Sequence, residues 1–331
     1  MRSIYPRVRT IVLLAALYSL PFFTRDPYIM HLSNMAMIYS VLSLSLNVLT
    51  GFTGQFSVGH AAFYGIGAYA SAILTTKLGA PIWVGFIAAG AIAAVAGAAL
   101  GIPSLRLRGL YLAVTTLGFG EIVYQLIVNW VSLTNGPRGL IGVPAPVIFG
   151  RALETYDSYY FLSATVLVLT IFIVTRIYHS RVGRAMLAIR ENELAAEAMG
   201  INSTFYKVMA FVVAAFFAGV AGALYAHEIR FISPESFVGQ ESITILCMMV
   251  VGGVGSIAGS VLGAFVLTFA PEYLRAVGDW RLVLYGATIV LMVTYAPHGL
   301  GGTITALEHR LTHGRKPKLK AGGDGTTAAG V

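Results

Sequence analysis

Long apolar stretches recur along almost the whole chain, and this feature restricts the possible folds more than any other. A helix needs roughly 20 apolar residues to cross the hydrocarbon core of a bilayer, and about ten stretches approach that length. They lie at residues 9–24, 32–50, 58–76, 82–101, 109–131, 159–178, 207–227, 241–255, 258–275 and 280–297. Because backbone polar groups inside a bilayer must be satisfied within each segment, the sequence predicts an all-α polytopic membrane protein.

The scarcity of charge supports the same fold class. Only 11% of the 331 residues are charged, whereas a soluble globular domain carries about 25%. A soluble fold of this length could not cover itself with polar surface. We therefore expect residues 1–308 to form one transmembrane domain. Residues 309–331 lack apolar periodicity, and we expect them to form a disordered tail.

The basic residues predict an orientation in the membrane. They cluster at Arg2, Arg7 and Arg9, at Arg106 and Arg108, from Arg176 to Arg190, and from Arg310 to Lys320. Lys and Arg in short loops mark the cytoplasmic side, and alternate crossing places all four clusters there. We expect both termini in the cytoplasm and an uncleaved first span, since no small-residue cleavage site follows it. The clusters are short and lie beside apolar spans, so we expect no nucleic-acid partner.

Two glycine-rich stretches interrupt the apolar pattern, LTGFTGQFSVGHAAFYGIGAY at 49–69 and VGGVGSIAGSVLGAF at 251–265. Non-helical backbone at membrane depth is tolerated only inside protein or beside water, and such interruptions point to a transport pathway. Small residues can instead serve close helix packing, as GAALG does at 97–101. We favour a pathway or gate for the first stretch, which is more polar, and leave both interpretations open for the second. The candidates are Gly51, Thr53, Gly54, Gln55, Ser57, His60, Gly252, Gly253 and Gly255.

Two ionisable side chains inside predicted spans need an explanation. Glu121 has Gln125 one turn further on and Asn129 one turn beyond that, so the three share a helix face. That face would be expensive in lipid, and we expect it to look into the bundle, either along the pathway or in a buried hydrogen-bond network. His60 likewise serves either transport or structure. The acidic run that a proton relay needs is not visible, which argues against a proton-driven carrier.

The charged segment LAIRENELAAEAMGIN, residues 187–202, predicts a helix from Arg184 to Met199. Gly200 is placed to end this helix, and Asn202 or Ser203 to cap the next span. Its apolar side comprises Met186, Leu187, Ile189, Leu194, Ala196 and Ala198. A helix lying on lipid would be rich in lysine, whereas this one carries Glu191, Glu193 and Glu197. We therefore expect a protein partner for it.

Several chemistries have no motif in this sequence. There is no GxxxxGK[ST] loop for ATP, no HExxH and no paired Cys/His spacing for zinc. The single cysteine, Cys247, excludes an internal disulfide. The acidic residues are scattered rather than convergent. We expect neither an enzyme nor a bound cofactor in this chain.

The segment LAAEAMG resembles the cytoplasmic signature of ABC-importer permeases. Ala195, Ala196 and Gly200 match it, whereas Leu194 stands where a glutamate is expected and Glu193 lies one position early. Taken with GFTGQFSVGHAAFYGIGAYASA, LRLRGLYLAVTTLGFGEI, NGPRGLIGVP and VVGGVGSIAGSVLGA, the sequence resembles the LivM-type permeases of branched-chain amino acid importers. The resemblance covers residues 33–300.

The resemblance implies an ABC importer permease fold of about ten helices, some of them interrupted, in a bacterial inner membrane. It also implies a homologous second permease, two ATPase subunits that bind ATP and magnesium, and a periplasmic binding protein. The loop 179–206 would then couple this chain to an ATPase. The candidate coupling residues are Arg190, Glu193, Leu194, Ala195, Ala196, Glu197 and Gly200. Branched-chain amino acids are the implied cargo; urea or short amides, and a stand-alone carrier or channel, are the alternatives.

Overall fold

The computed structural model describes residues 18, 19, 21, 26–105, 107, 109–148, 151–153, 155–274, 278, 280–295 and 299–302. Most of the span predicted at 9–24 lies outside these residues, and so do the predicted tail and three of the four basic clusters. Within the described part the fold is an α-helical bundle. Four two-residue strands and two short 3₁₀ helices, Gly136–Arg138 and Pro234–Phe237, are the other regular elements of that part.

Each predicted span from 32–50 onwards corresponds to one observed helix. The helices are α1 (Pro27–Thr53), α2 (His60–Lys77), α3 (Ile82–Ser104), α4 (Leu110–Asn129), α5 (Val131–Thr134), α6 (Tyr156–His179), α7 (Arg181–Glu191), α8 (Glu193–Ala198), α9 (Ser203–Ile229), α10 (Gly239–Gly252), α11 (Ile257–Tyr273) and α12 (Arg281–Tyr295). The strands are β1 (Leu140–Ile141), β2 (Val147–Ile148), β3 (Arg151–Ala152) and β4 (Phe231–Ile232).

Five described helices are long and apolar enough to cross a membrane, namely α1, α3, α4, α6 and α9. Helix α10 is apolar but has only 14 residues. At 1.5 Å per residue it extends about 21 Å, less than the hydrocarbon core of about 30 Å. The prediction of about ten crossings with both termini in the cytoplasm therefore stays a prediction.

The core forms where α9 packs against α3, α2 and α1, while α1 also contacts α6, α10 and α11. Small residues allow the closest of these approaches. A Cβ atom added at Gly67 would lie 2.2 Å from the Gly219 carbonyl oxygen, and one at Gly97 would lie 2.6 Å from the Ala215 Cβ. Without these glycines the backbones could not pack so closely. The packing interpretation of GAALG is thereby confirmed.

Both glycine-rich stretches break the helical path, as predicted. Helix α1 ends at Thr53, residues 54–59 are non-helical, and α2 begins at His60. The His60 Nε2 lies 2.7 Å from the Ser45 Oγ. Ser45 is eight residues before Thr53, so the non-helical segment runs back along α1 by about 12 Å. In the second stretch α10 ends at Gly252 and α11 begins at Ile257.

A small two-stranded sheet lies at the C-terminal end of α9. Strands β1 and β4 pair antiparallel, with Leu140 opposite Ile232. The NGPRGLIGVP segment thus forms a 3₁₀ turn at Gly136–Arg138 and then β1, which lies against the residues following α9. The Asn34 amide donates to the Glu228 carboxylate at 3.0 Å and joins α1 to α9 there. The sheet and the charged loop 179–206 therefore lie at different ends of α9.

Candidate functional site

The loop 179–206 contains two short helices rather than the single helix predicted from Arg184 to Met199. The side chain of Ser180 accepts from the Val182 and Gly183 amides and caps α7. Asn192 is extended, and its Oδ1 accepts from the Ala195 amide at 3.1 Å, which caps α8. The prediction was wrong because Asn192 offers the backbone a side-chain acceptor, which favours a new helix start over continuation.

The end of α8 is as predicted. Gly200 adopts φ +82°, its amide donates to the Glu197 carbonyl at 2.9 Å, and the Ile201 amide donates to the Ala196 carbonyl at 3.0 Å. These two bonds form a Schellman motif, which requires a residue in the left-handed region. Asn202 then caps α9 by accepting from the Phe205 amide at 3.0 Å. The loop is therefore fixed by side-chain or glycine caps at each turn.

The predicted apolar side of the loop is divided between two environments. Met186, Ile189 and Ala196 are buried in this chain, so they cannot dock on a partner as we expected. Leu194 and Met199 instead have 70% and 83% of their surfaces exposed. The break at Asn192 turns α8 relative to α7, so the two helices no longer share one apolar strip.

The loop's charged residues also bind this chain. The Arg190 Nη1 donates to the Gly51 carbonyl oxygen, and the Lys207 Nζ forms an ion pair with the Glu193 carboxylate. The Ser203 Oγ donates to the Glu197 carboxylate. We expected these residues to couple the loop to a partner, and the structure shows that they hold the loop onto α1 and α9. Sequence reasoning missed Lys207 because it stands at the start of an apolar span.

The two glycine-rich stretches meet in space at a cluster that we call the glycine junction. It comprises Asn47, Gly51, Gly54, Gly255 and Ser256. The Asn47 Oδ1 accepts from the Gly255 amide at 2.7 Å, and its Nδ2 donates to the Ser256 carbonyl at 3.1 Å. A Cβ atom at Gly51 would lie 2.7 Å from the Gly255 nitrogen. The structure therefore brings Gly51, Gly54 and Gly255 together, and adds Asn47, which the sequence marks only as a polar residue within an apolar helix.

The other polar candidates of the first stretch are buried and bonded locally. The Thr53 Oγ1 donates to the Gln55 Oε1 at 3.1 Å, and Ser57 and His60 have no exposed surface. Thr116 of α4 accepts from the Val58 amide at 2.9 Å and fixes the middle of the segment. These contacts support a structural role for the side chains of this segment, which lies beside α1.

The remaining glycine candidates serve close packing. A Cβ at Gly252 would lie 2.2 Å from the Gly259 carbonyl oxygen, so α10 and α11 touch through their backbones. A Cβ at Gly299 would lie 2.4 Å from the Gly253 Cα. Of the two interpretations left open for the second stretch, packing therefore holds at Gly252 and Gly253, whereas Gly255 faces the junction.

Glu121 does not look into the bundle of this chain, contrary to our expectation. The Gln125 Nε2 donates to the Glu121 Oε1 at 2.8 Å, and the Asn129 Nδ2 donates to the Gln125 carbonyl at 2.8 Å. The three side chains share one face as predicted, but all are exposed on α4. We call them the polar ladder. The expectation assumed that this chain alone would shield the carboxylate from lipid. Another protein or an aqueous pathway can shield it as well.

The described residues contain no group of His, Cys, Asp and Glu side chains that could hold a metal ion. Cys247 is a free, half-buried thiol.

Comparison with known proteins identifies the family. The family model described as branched-chain amino acid transport system, permease component, matches residues 28–293. The permease protein LivM of the high-affinity branched-chain amino acid transport system of Salmonella typhimurium is 37% identical over 292 residues, covering 81% of this chain and 69% of that protein. LivM of Escherichia coli gives the same figures. LivH of Escherichia coli is 27% identical over 289 residues, covering 80% of this chain and 91% of that protein.

The matched region contains nearly all of α1, the helices α2 to α11, most of α12, both glycine-rich stretches and the loop 179–206. The resemblance to LivM-type permeases is thereby confirmed. The chain is a multi-pass membrane protein and belongs to the permease family of branched-chain amino acid transport systems.

Proposed function

We propose that this chain is the transmembrane permease subunit of an ATP-driven importer in a bacterial inner membrane. It would receive branched-chain or related amino acids from a periplasmic binding protein and pass them to the cytoplasm. Its partners would be a homologous second permease and two ATPase subunits, which bind ATP and magnesium themselves. The named LivM and LivH relatives, both permease proteins of one kind of transport system, support a pair of permeases.

The observation that carries the proposal is the outer surface of α8. Leu194 and Met199 are large apolar side chains, and both are mostly exposed on a loop that caps hold at every turn. Glu191 and Glu197 are exposed in the same loop and would be repelled by anionic lipid. A short helix with apolar anchors and a charged rim fits a groove on a protein partner. We assign that partner to the ATPase.

The polar ladder on α4 supports a second permease. A carboxylate facing lipid is expensive, so a second protein or an aqueous pathway must cover this face. Glu121 offers acceptors to an ammonium group, whereas the amides of Gln125 and Asn129 offer donors to a carboxylate. A zwitterionic amino acid presents both groups. We therefore place the pathway along α4, between this chain and the second permease.

The mechanism follows from these two surfaces. Closure of the ATPase pair would move α7 and α8, which contact α1, α6 and α9. ATP binding can shift the transporter between inward and outward states only through contacts that differ between them. In this scheme the loop supplies those contacts, and the chain itself hydrolyses nothing.

Two alternatives concern the cargo and the energy source. Urea or a short amide would also suit the amides of the ladder, but it would leave Glu121 without a cationic partner. A stand-alone carrier or channel would need no partner at α8. Uptake measured in liposomes with and without the ATPases, the second permease and the binding protein separates these cases, with leucine and urea as competing substrates. ATP-dependent leucine uptake supports the proposal, and uptake by this chain alone would contradict it.

Two loop variants test the coupling assignment in the assembled complex. Gly200→Pro cannot adopt the positive φ of the Schellman turn. Glu197→Lys removes the carboxylate that accepts from Ser203 and reverses the charge on this surface. We expect both to abolish uptake while the protein still reaches the membrane. Gly200→Asn, which tolerates this conformation, and Glu197→Gln, which keeps the bond to Ser203, are the matched controls. Full uptake by Gly200→Pro or Glu197→Lys would exclude the loop from coupling.

A further inference from the structure

We propose that Arg190 is the positioning residue that ties the loop facing the ATPase to the glycine junction. It holds the end of α1 and the α10–α11 turn in register, and the junction rearranges when α7 moves. The inference rests on the proposed function for its link to ATP, but the contact itself lies wholly within this chain.

The carbonyl that Arg190 binds is one that helix geometry leaves without a partner. The last four carbonyls of a helix have no intrahelical donor. At the end of α1, the Gly54 amide donates to the Thr50 carbonyl and the Gln55 amide to the Leu49 carbonyl. The Arg190 Nη1 donates to the next carbonyl, that of Gly51. A guanidinium at this position also complements the partial negative charge at a helix C-terminus.

Arg190 lies against both glycine-rich stretches at once. A Cβ atom at Gly255 would lie 2.9 Å from the Arg190 Nη1, and a Cβ at Gly54 would lie 3.4 Å from the Arg190 Cγ. Both glycines also have positive φ, +88° and +72°. The junction therefore has room for the arginine because it is built from glycine on both sides. Asn47 of α1 binds Gly255 and Ser256 in the same cluster.

Two other cations in or next to the loop have a described bond, and neither bond reaches the glycine junction. The Arg184 Nη1 donates to the His179 carbonyl at 3.1 Å, which lies within the same loop. The Lys207 Nζ joins Glu193 to α9 at the start of that helix. Of the described bonds made by Arg184, Arg190 and Lys207, only the bond from Arg190 reaches a glycine-rich stretch. A shift of α7 by one to two ångströms, about the size of helix shifts in switching proteins, would break it.

The test compares Arg190→Gln, Arg190→Lys and Arg184→Gln in the reconstituted complex, with uptake and ATP hydrolysis measured on the same sample. Loss of a charge-assisted hydrogen bond shifts an equilibrium by about tenfold or more. We expect Arg190→Gln to lower substrate moved per ATP by about that factor, while hydrolysis persists. Arg190→Lys keeps the charge and should restore part of the ratio, and Arg184→Gln should match the unaltered protein.

A second readout needs no partner. Val251 is buried and lies four residues before Gly255 in the chain, and Cys247 is the chain's single cysteine. In a Cys247→Ser, Val251→Cys background, a membrane-impermeant thiol reagent added to open membranes reports access to the junction. We expect Arg190→Gln to speed labelling by about tenfold and Arg184→Gln to leave it unchanged.

The two readouts separate the two ideas. If Arg190→Gln speeds labelling but the chain assembles with no ATPase, the role of Arg190 stands and the importer proposal is overturned. Unchanged labelling, or an unchanged transport ratio in a working importer, would overturn the role of Arg190.

Discussion

Helices α1 and α4 are both apolar and long enough to cross a membrane, yet their surroundings differ sharply. Each helix has a most apolar stretch of 18 residues. Within that stretch 89% of α1 is buried in the chain, whereas only 22% of α4 is buried. Helix α1 contacts α2, α6, α7, α9, α10 and α11, whereas α4 lies at the edge and exposes Leu110, Tyr111 and Val114. Hydropathy therefore predicts that a helix enters a membrane but not which neighbour covers it.

The polar side chains of the two helices follow the same division. Asn47 of α1 bonds to the α10–α11 turn of its own chain. Glu121 of α4 bonds to the next turn of its own helix and is otherwise open. A buried polar group must be satisfied wherever it lies. On the proposed function, α1 would be covered by helices of this chain, whereas α4 would be covered by the second permease.

The strongest test of this contrast is Glu121→Leu. If lipid covers α4, removing a carboxylate from that face should be neutral or stabilising. If the second permease and the pathway cover it, we expect the variant to abolish uptake in the reconstituted complex. Ile122→Leu, at the next exposed position, is the matched control and should transport normally. Normal uptake by Glu121→Leu, together with raised stability, would show that α4 faces lipid.

Packing provides the second test. Leu44 of α1 has no exposed surface, whereas 61% of Val114 of α4 is exposed. We expect Leu44→Ala to lower the free energy of unfolding by about 2–3 kcal/mol, near the lower end of the range for buried leucines because lipid is also apolar. Val114→Ala should change it by less than about 0.5 kcal/mol. Reversible unfolding in mixed micelles measures both. Equal losses would remove the distinction between the two helices.

The smallest effect is expected for single polar groups. Asn47→Leu leaves the Gly255 amide without its acceptor, and we expect a loss of about 1–2 kcal/mol in the same assay. Asn129→Leu on α4 removes bonds made only within the helix, and should cost less than about 0.5 kcal/mol. If both asparagines cost the same, Asn47 does not hold the junction together.

Much of the fold could be predicted because a segment that crosses lipid must be apolar and helical over about 20 residues. Each predicted span from 32–50 onwards corresponds to a helix, and both glycine-rich stretches are breaks between helices. Gly200 and Asn202 end and begin helices as expected, since caps depend on neighbouring residues alone. These features are local, so the pattern of apolar residues, glycines and caps contains the necessary information.

The site was less predictable because its contacts join residues far apart in the chain. Arg190 was assigned to a partner but binds Gly51, which is 139 residues away. Lys207 and Asn47 were missed, since each is a single polar residue at or within an apolar span. The direction of the polar ladder also depends on which helices lie beside α4, and periodicity defines a face without naming its neighbour.

The sequence by itself determined the apolar helices, the two interruptions, the charged loop and the family. It did so because hydrophobic length, glycine content and capping act over one or two helical turns. Only the tertiary structure decided that the two interruptions meet, that Arg190 joins them and that Glu121 faces outward. Those outcomes depend on which helices pack together, and packing is set by the close fit of distant surfaces rather than by local pattern.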